Sequence, residues 1–165
     1  MARRAAPALP RQQTAALAAP PRPAVPAGLP VSKARGRLSP PVVGRLAVGF
    51  GAKEEAGAAK GVRIETAAGA QVVAPFGGEV VYSGPFRGYG PLLIIDHGEG
   101  YHSLLAGLGR IDAIVGQKVL AGEPIGVMSA SGKGPIRLYM ELRRGGRPMD
   151  PLPWLASPPK SKVSG

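Results

Sequence analysis

From Gly61 to Leu155, short apolar runs alternate with glycine, proline, aspartate or serine punctuation. That rhythm constrains the fold more than any other feature of the sequence. Residues 62–66, 71–74, 79–83, 92–96, 101–105, 118–120, 125–128 and 136–143 read as strands dominated by β-branched residues and leucine. Turn signals fall between them, among them Phe76-Gly77-Gly78, Gly84-Pro85, Gly98-Glu99-Gly100 and Gly145-Gly146. No window carries a convincing amphipathic helix. Many short strands at this spacing predict an all-β fold, an antiparallel β-sandwich or open barrel. About 110 residues are enough to bury an independent core.

The flanks read differently. Residues 1–38 repeat proline at positions 7, 10, 20, 21, 23, 26 and 30 with alanine between them. Such a stretch lacks regular backbone donors and apolar bulk, so it is expected to be a disordered Pro/Ala-rich linker. The domain is expected over 39–156, with 40–51 as a lead-in along its edge. Trp154, the only tryptophan, closes it as a lid on the sheet. Residues 157–165 form a flexible polar tail.

The net charge of +11 sits in those flanks. Residues 1–50 contribute +8, residues 51–156 only +1, and residues 157–165 another +2. A nearly neutral folded part without an aromatic-basic stacking motif argues against a nucleic-acid binder. The basic flanks name no specific polyanion. The chain has no cysteine, which removes disulfides and thiolate metal sites. No run approaches the ~20 apolar residues of a membrane span. The first residues make a poor signal-peptide core, so any export signal is expected upstream of this chain.

Four phrases in order carry a resemblance. Val72-Val73-Ala74-Pro75-Phe76-Gly77-Gly78-Glu79-Val80 is followed by Gly88-Tyr89-Gly90 and Ile94-Ile95-Asp96-His97-Gly98. Val115-Gly116-Gln117-Lys118-Val119-Leu120-Ala121-Gly122 then leads to Leu138-Tyr139-Met140-Glu141-Leu142-Arg143 and Asp150-Pro151. Together these resemble the LytM, or M23 peptidase, domain. Active members hold zinc with a His and an Asp, then with the second His of a later "H-x-H" strand, and two further histidines assist the metal-bound water. Carried onto this chain, those places hold Ala59, Arg63, Gly107, Arg137 and Tyr139. Zinc needs three N or O donors with lone pairs. Alanine, glycine and guanidinium groups offer none, and a neutral phenol is a poor ligand. No cofactor is expected. His97 and His102 are expected to be structural or surface residues.

A frame kept while its ligands are lost is the pattern of the degenerate LytM factors, the EnvC-type murein hydrolase activators. Lys60-Gly61, Leu138-Tyr139-x-Glu141-x-Arg143-Arg144 and Pro151-x-Pro153-Trp154-Leu155 resemble that subfamily's own phrases. The resemblance implies a periplasmic, non-catalytic protein. It would bind a zinc-dependent N-acetylmuramoyl-L-alanine amidase, receive an amidase helix in the vacant groove and relieve autoinhibition during cell separation. The groove residues so implied are Lys60, Arg63, Tyr89, Arg137, Tyr139 and Arg143, with Glu141 as an internal orienter of an arginine. Residues two apart on a strand share a face, which puts Arg137, Tyr139, Glu141 and Arg143 together. Two alternatives stay open: a peptidoglycan-binding module, and a divergent metallopeptidase.

Overall fold

The computed structural model describes residues 29–55, 57–132 and 134–156. Residues 1–28 of the linker expected over 1–38, and the tail expected over 157–165, lie outside the described residues. Strands run in the order β1 (Gly44–Val48), β2 (Lys53–Glu54), β3 (Gly57–Ala58), β4 (Val62–Thr66), β5 (Gln71–Val73), β6 (Gly78–Phe86) and β7 (Gly90–Gly98). They continue as β8 (Tyr101–Ala106), β9 (Leu108–Ile111), β10 (Lys118–Val119), β11 (Pro124–Met128), β12 (Ile136–Arg144) and β13 (Arg147–Met149). Single 3-10 turns occupy Val31–Lys33 and Leu152–Trp154.

The eight expected strands all form, and β6, β7 and β12 each reach nine residues. Five more are present that the apolar pattern does not announce. β2 and β3 are two residues each, and their pattern is polar or small. β13 contains Pro148, which lowers strand propensity but is tolerated where a short segment pairs only over Leu142 to Arg144. β9 contains Gly109, where a Cβ would come within 2.6 Å of the Ser129 Cα, so the glycine permits a close backbone approach.

The large sheet has the order β1-β4-β12-β8-β7-β6-β10, with β13 beside the end of β12. A three-stranded sheet, β5-β11-β9, forms a second layer. Their side chains meet in one core. Val72, Leu108, Ile125 and Met128 come from the small sheet, and Ile64, Leu93, Ile95, Leu105, Leu138 and Met140 from the large one. The result is the antiparallel sandwich that the strand rhythm predicts. Alternation then decides the other face. On β12, Leu138, Met140 and Leu142 enter the core, which turns Arg137, Tyr139, Glu141 and Arg143 to the opposite side of the sheet.

The boundary expected at residue 39 is corrected. Val31, Ala34 and Leu38 are at most 1% exposed and belong to the main core. The Leu38 amide donates to the Trp154 carbonyl (3.0 Å), and the Ala156 amide donates to the Leu38 carbonyl (2.8 Å). The 31–38 segment therefore ties the two ends of the folded unit together. Each of its larger apolar side chains gains roughly 1.5–3 kcal/mol from burial. Trp154 closes this end as expected, 6% exposed and 5.4 Å from the Tyr101 ring.

Candidate functional site

A cavity of about 430 Å³ opens on the face of the large sheet away from the core. Ala59, Lys60, Arg63, Tyr89, Gly107, Arg137 and Tyr139 all line it. The sheet register explains how positions far apart in sequence converge. Arg63 on β4 lies opposite Tyr139 on β12, and Tyr139 lies opposite Ala106 on β8, beside Gly107. Tyr89 arrives from the β6–β7 turn, where Gly88 (φ 85°) and Gly90 (φ 72°) take left-handed conformations on either side of it. Its ring reaches within 5.8 Å of the Tyr139 ring.

Beneath these aromatics lies a carboxylate. Glu141 is 0% exposed. The Tyr139 hydroxyl donates to its Oε2 at 2.5 Å, and the Tyr89 hydroxyl reaches the same oxygen at 3.5 Å. Arg143 Nε donates to Oε1 at 2.6 Å. A buried charge is tolerated only when paired and hydrogen-bonded, and here one cation and two phenols supply that. Burial, reinforced by Glu141, raises the Tyr139 phenol well above its ordinary value. Burial and the same carboxylate also raise Tyr89. Both phenols therefore stay protonated donors. Gly61, next to Lys60, leaves room for this strand, since a Cβ there would fall 2.3 Å from the Met140 carbonyl and 2.9 Å from Glu141 Cγ.

Arg143 occupies the expected face but not the cavity wall. It stands further along β12, with its side chain 31% exposed, opposite His102 and clasped by Glu141. Arg137 faces Glu65 across the β12–β4 pair at 3.5 Å, and Arg45 on β1 approaches the same carboxylate at 3.5 Å. Arg63 spreads its guanidinium over the Tyr139 ring, 4.8 Å from the centroid. Its Nε pairs with Glu54 Oε2 at 3.2 Å. Sequence reasoning missed Glu54. It lies on the small β2–β3 hairpin, and no local signal announces that this hairpin borders the cavity.

Zinc does not fit these residues. Ala59 is a buried methyl group, Gly107 has no side chain, and Arg63 and Arg137 present cations. The Tyr139 hydroxyl is committed to Glu141. Among the described residues no three His, Cys, Asp or Glu side chains converge on a metal position. The two histidines have other partners. His97 Nδ1 lies 2.8 Å from the Gly77 carbonyl and its Nε2 lies 2.7 Å from Ser103 Oγ. The carbonyl can only accept, so Nδ1 carries the proton and Ser103 donates to Nε2. Burial lowers the His97 pKa to about 4. His102 lies 3.9 Å from Asp96 on the outer face.

The sequence model of peptidase family M23 matches residues 57–151. The chain is 42% identical over 97 residues to the "Lipoprotein NlpD/LppB homolog" of Pseudomonas aeruginosa, covering 58% of this chain and 33% of that protein. It is 37% identical over 97 residues to "Murein hydrolase activator EnvC" of Escherichia coli (strain K12), covering 58% of this chain and 23% of that protein. The chain thus spans a third or less of these relatives. Among solved structures, Helicobacter pylori Csd3 superposes with a TM-score of 0.64 at 25% identity, over 78% of this chain and 35% of Csd3. No helix among the described residues is long and apolar enough to cross a membrane.

Proposed function

This chain belongs to peptidase family M23, and on that frame we propose that it is a non-catalytic activator of a cell-wall amidase. One observation carries the reading. Ala59, Arg63, Gly107, Arg137 and Tyr139, the five places onto which the resemblance carries an active member's metal and helper groups, all line a single cavity. In this reading the cavity keeps the position of an active site while offering donors, cations and aromatic faces in place of metal ligands. Such a surface suits recognition. The relatives named murein hydrolase activators support that direction.

In this reading the partner is a zinc-dependent N-acetylmuramoyl-L-alanine amidase of the periplasm. A helical segment of the amidase enters the groove and withdraws a blocking helix from the amidase zinc. Tyr89 and Tyr139 offer the apolar wall. Lys60, Arg63 and Arg137 supply positive charge at the mouth, and Arg143 extends the surface along β12.

The test is dye release from purified sacculi, with the chain alone, a candidate amidase alone, and both together. The proposal expects release above the amidase baseline only in the combined reaction. Release by the chain alone identifies a peptidase instead. Pelleting of the chain with sacculi, without any effect on amidase rate, identifies a peptidoglycan-binding module.

A further inference from the structure

We propose that the groove reads a carboxylate of its partner at Arg63, and that Glu54 is the chain's own carboxylate which this group displaces. The inference rests on the reading of the groove as a docking site for a protein segment. It adds the chemistry of the recognition and a moving part.

The donors of Arg63 are only partly used. A guanidinium carries five N–H donors in a fixed fork. Glu54 takes the one on Nε, at 3.2 Å, and neither terminal nitrogen makes a hydrogen bond or ion pair with a described residue. The Arg63 side chain is 39% exposed and lines the cavity. Its other contact, the Tyr139 face, fixes the plane of the group without consuming a donor. Lys60 lines the same cavity, is exposed, and pairs with no carboxylate among the described residues. The cavity lining thus carries three cations against one anion, Glu54, giving a net +2. A carboxylate arriving beside Arg63 meets an unfilled guanidinium edge and an unpaired ammonium group.

Glu54 is held by a piece of structure that can yield. β2 and β3 pair with each other over Lys53↔Ala58 and Glu54↔Gly57, and with no other strand among the described residues. A two-stranded hairpin is marginally stable by itself. Its base is fixed by the Gly51 amide on the Ala59 carbonyl (2.7 Å) and the Ala59 amide on the Ala52 carbonyl (2.8 Å). Beyond that base, the Glu54–Arg63 pair is its one side-chain hydrogen bond to the sheet among the described residues. Glu54 therefore satisfies Arg63 in the free protein and competes with any incoming carboxylate. Its displacement would swing the hairpin away from the cavity mouth.

The test uses the whole chain in two arms. In the first, Arg63 Nε–Hε is followed by NMR as a helical peptide of about 15 residues, long enough to hold helix in water, is added. One version carries a single glutamate and the other a glutamine in its place. A shift of the Arg63 signal with the glutamate peptide alone is expected. Equal shifts, or none, overturn the proposal. In the second arm, Glu54→Gln and Arg63→Gln are compared in amidase stimulation. An exposed pair competes weakly, so Glu54→Gln should lower the concentration for half-maximal stimulation about two- to fivefold. Arg63→Gln should raise it, and the double variant should match Arg63→Gln. Wild-type potency in Glu54→Gln overturns the proposal while leaving amidase activation intact. A selective NMR shift without any stimulation by the wild type keeps the carboxylate site and removes the amidase reading.

Discussion

Removing the buried carboxylate under the groove gives the most direct measure of how the site is built. In Glu141→Ala, Arg143 loses its only ion-pair partner among the described residues, and the Tyr139 hydroxyl loses its acceptor. Breaking a fully buried pair costs about 3–5 kcal/mol. Arg143 is 31% exposed, so water recovers part of that on its side. The stranded hydrogen bond of Tyr139 to a charged acceptor adds about 1.5–3 kcal/mol, much of which water cannot replace in a half-buried site. With part of the pair's cost recovered by water, the two contributions add to about 4 kcal/mol, or roughly 10–15 °C in melting temperature for a domain of this size. Glu141→Gln keeps the shape and an acceptor but removes the charge, and should lose about half as much. Glu141→Met is the informative third variant. It removes the desolvation cost together with the partners, so its stability should lie close to that of the Gln variant. Its Tyr139 and Arg143 are nevertheless no longer held. Thermal unfolding by circular dichroism at neutral pH reads stability. Tyrosinate absorbance on raising the pH reads the network, because two phenols should ionise earlier once Glu141 is gone. If Glu141→Gln melts within about 1 °C of wild type and its tyrosines titrate unchanged, the network does not organise the groove as described.

Lys60→Glu should abolish amidase stimulation while melting within a few degrees of wild type, as expected for an exposed side chain, whereas Arg143→Ala should abolish stimulation and also lower the melting temperature, because it leaves the buried Glu141 carboxylate without its cation. Tyr139→Ala should weaken stimulation and lower the melting temperature together, since it removes both a groove wall and a donor to Glu141. His97 titrates near 4 when folded and near 6.5 when unfolded. The unfolded chain therefore binds the extra proton between those values. Stability is complete above pH 6.5, falls by about 3 kcal/mol as the pH drops to 4, and gains nothing further from this group below that. His97→Gln should flatten that part of the urea-unfolding profile. A chain begun at residue 39 should melt well below the full chain, because it lacks Val31, Ala34 and Leu38. Elemental analysis should find less than stoichiometric zinc, and chelator should leave the melting curve unchanged.

The sequence by itself determined the class of the fold and the unfitness of these side chains for zinc. Strand and turn periodicity is local, so the eight longer strands and the sandwich could be read from it. Donor capacity belongs to the residue type, so Ala59, Arg63, Gly107 and Arg137 rule themselves out as zinc ligands without coordinates. The period of two along β12 even put Tyr139, Glu141 and Arg143 on one face. Tertiary structure decided what depends on contacts between distant segments. Val31 and Leu38 look like stray apolar residues in a proline-rich stretch, yet both join the main core, and Leu38 is tied there to Trp154 and Leu155 from the other end of the folded unit. Glu54 and Arg63 are nine residues apart but meet only because a hairpin folds over β4. Tyr89 and Glu141 are 52 positions apart, and the large sheet brings them to one carboxylate oxygen. Local pattern fixes which side of a strand a residue faces. Only the pairing order of β4, β12, β8 and β7 fixes which residues share that side, and hence that a cationic, aromatic groove forms over a buried glutamate.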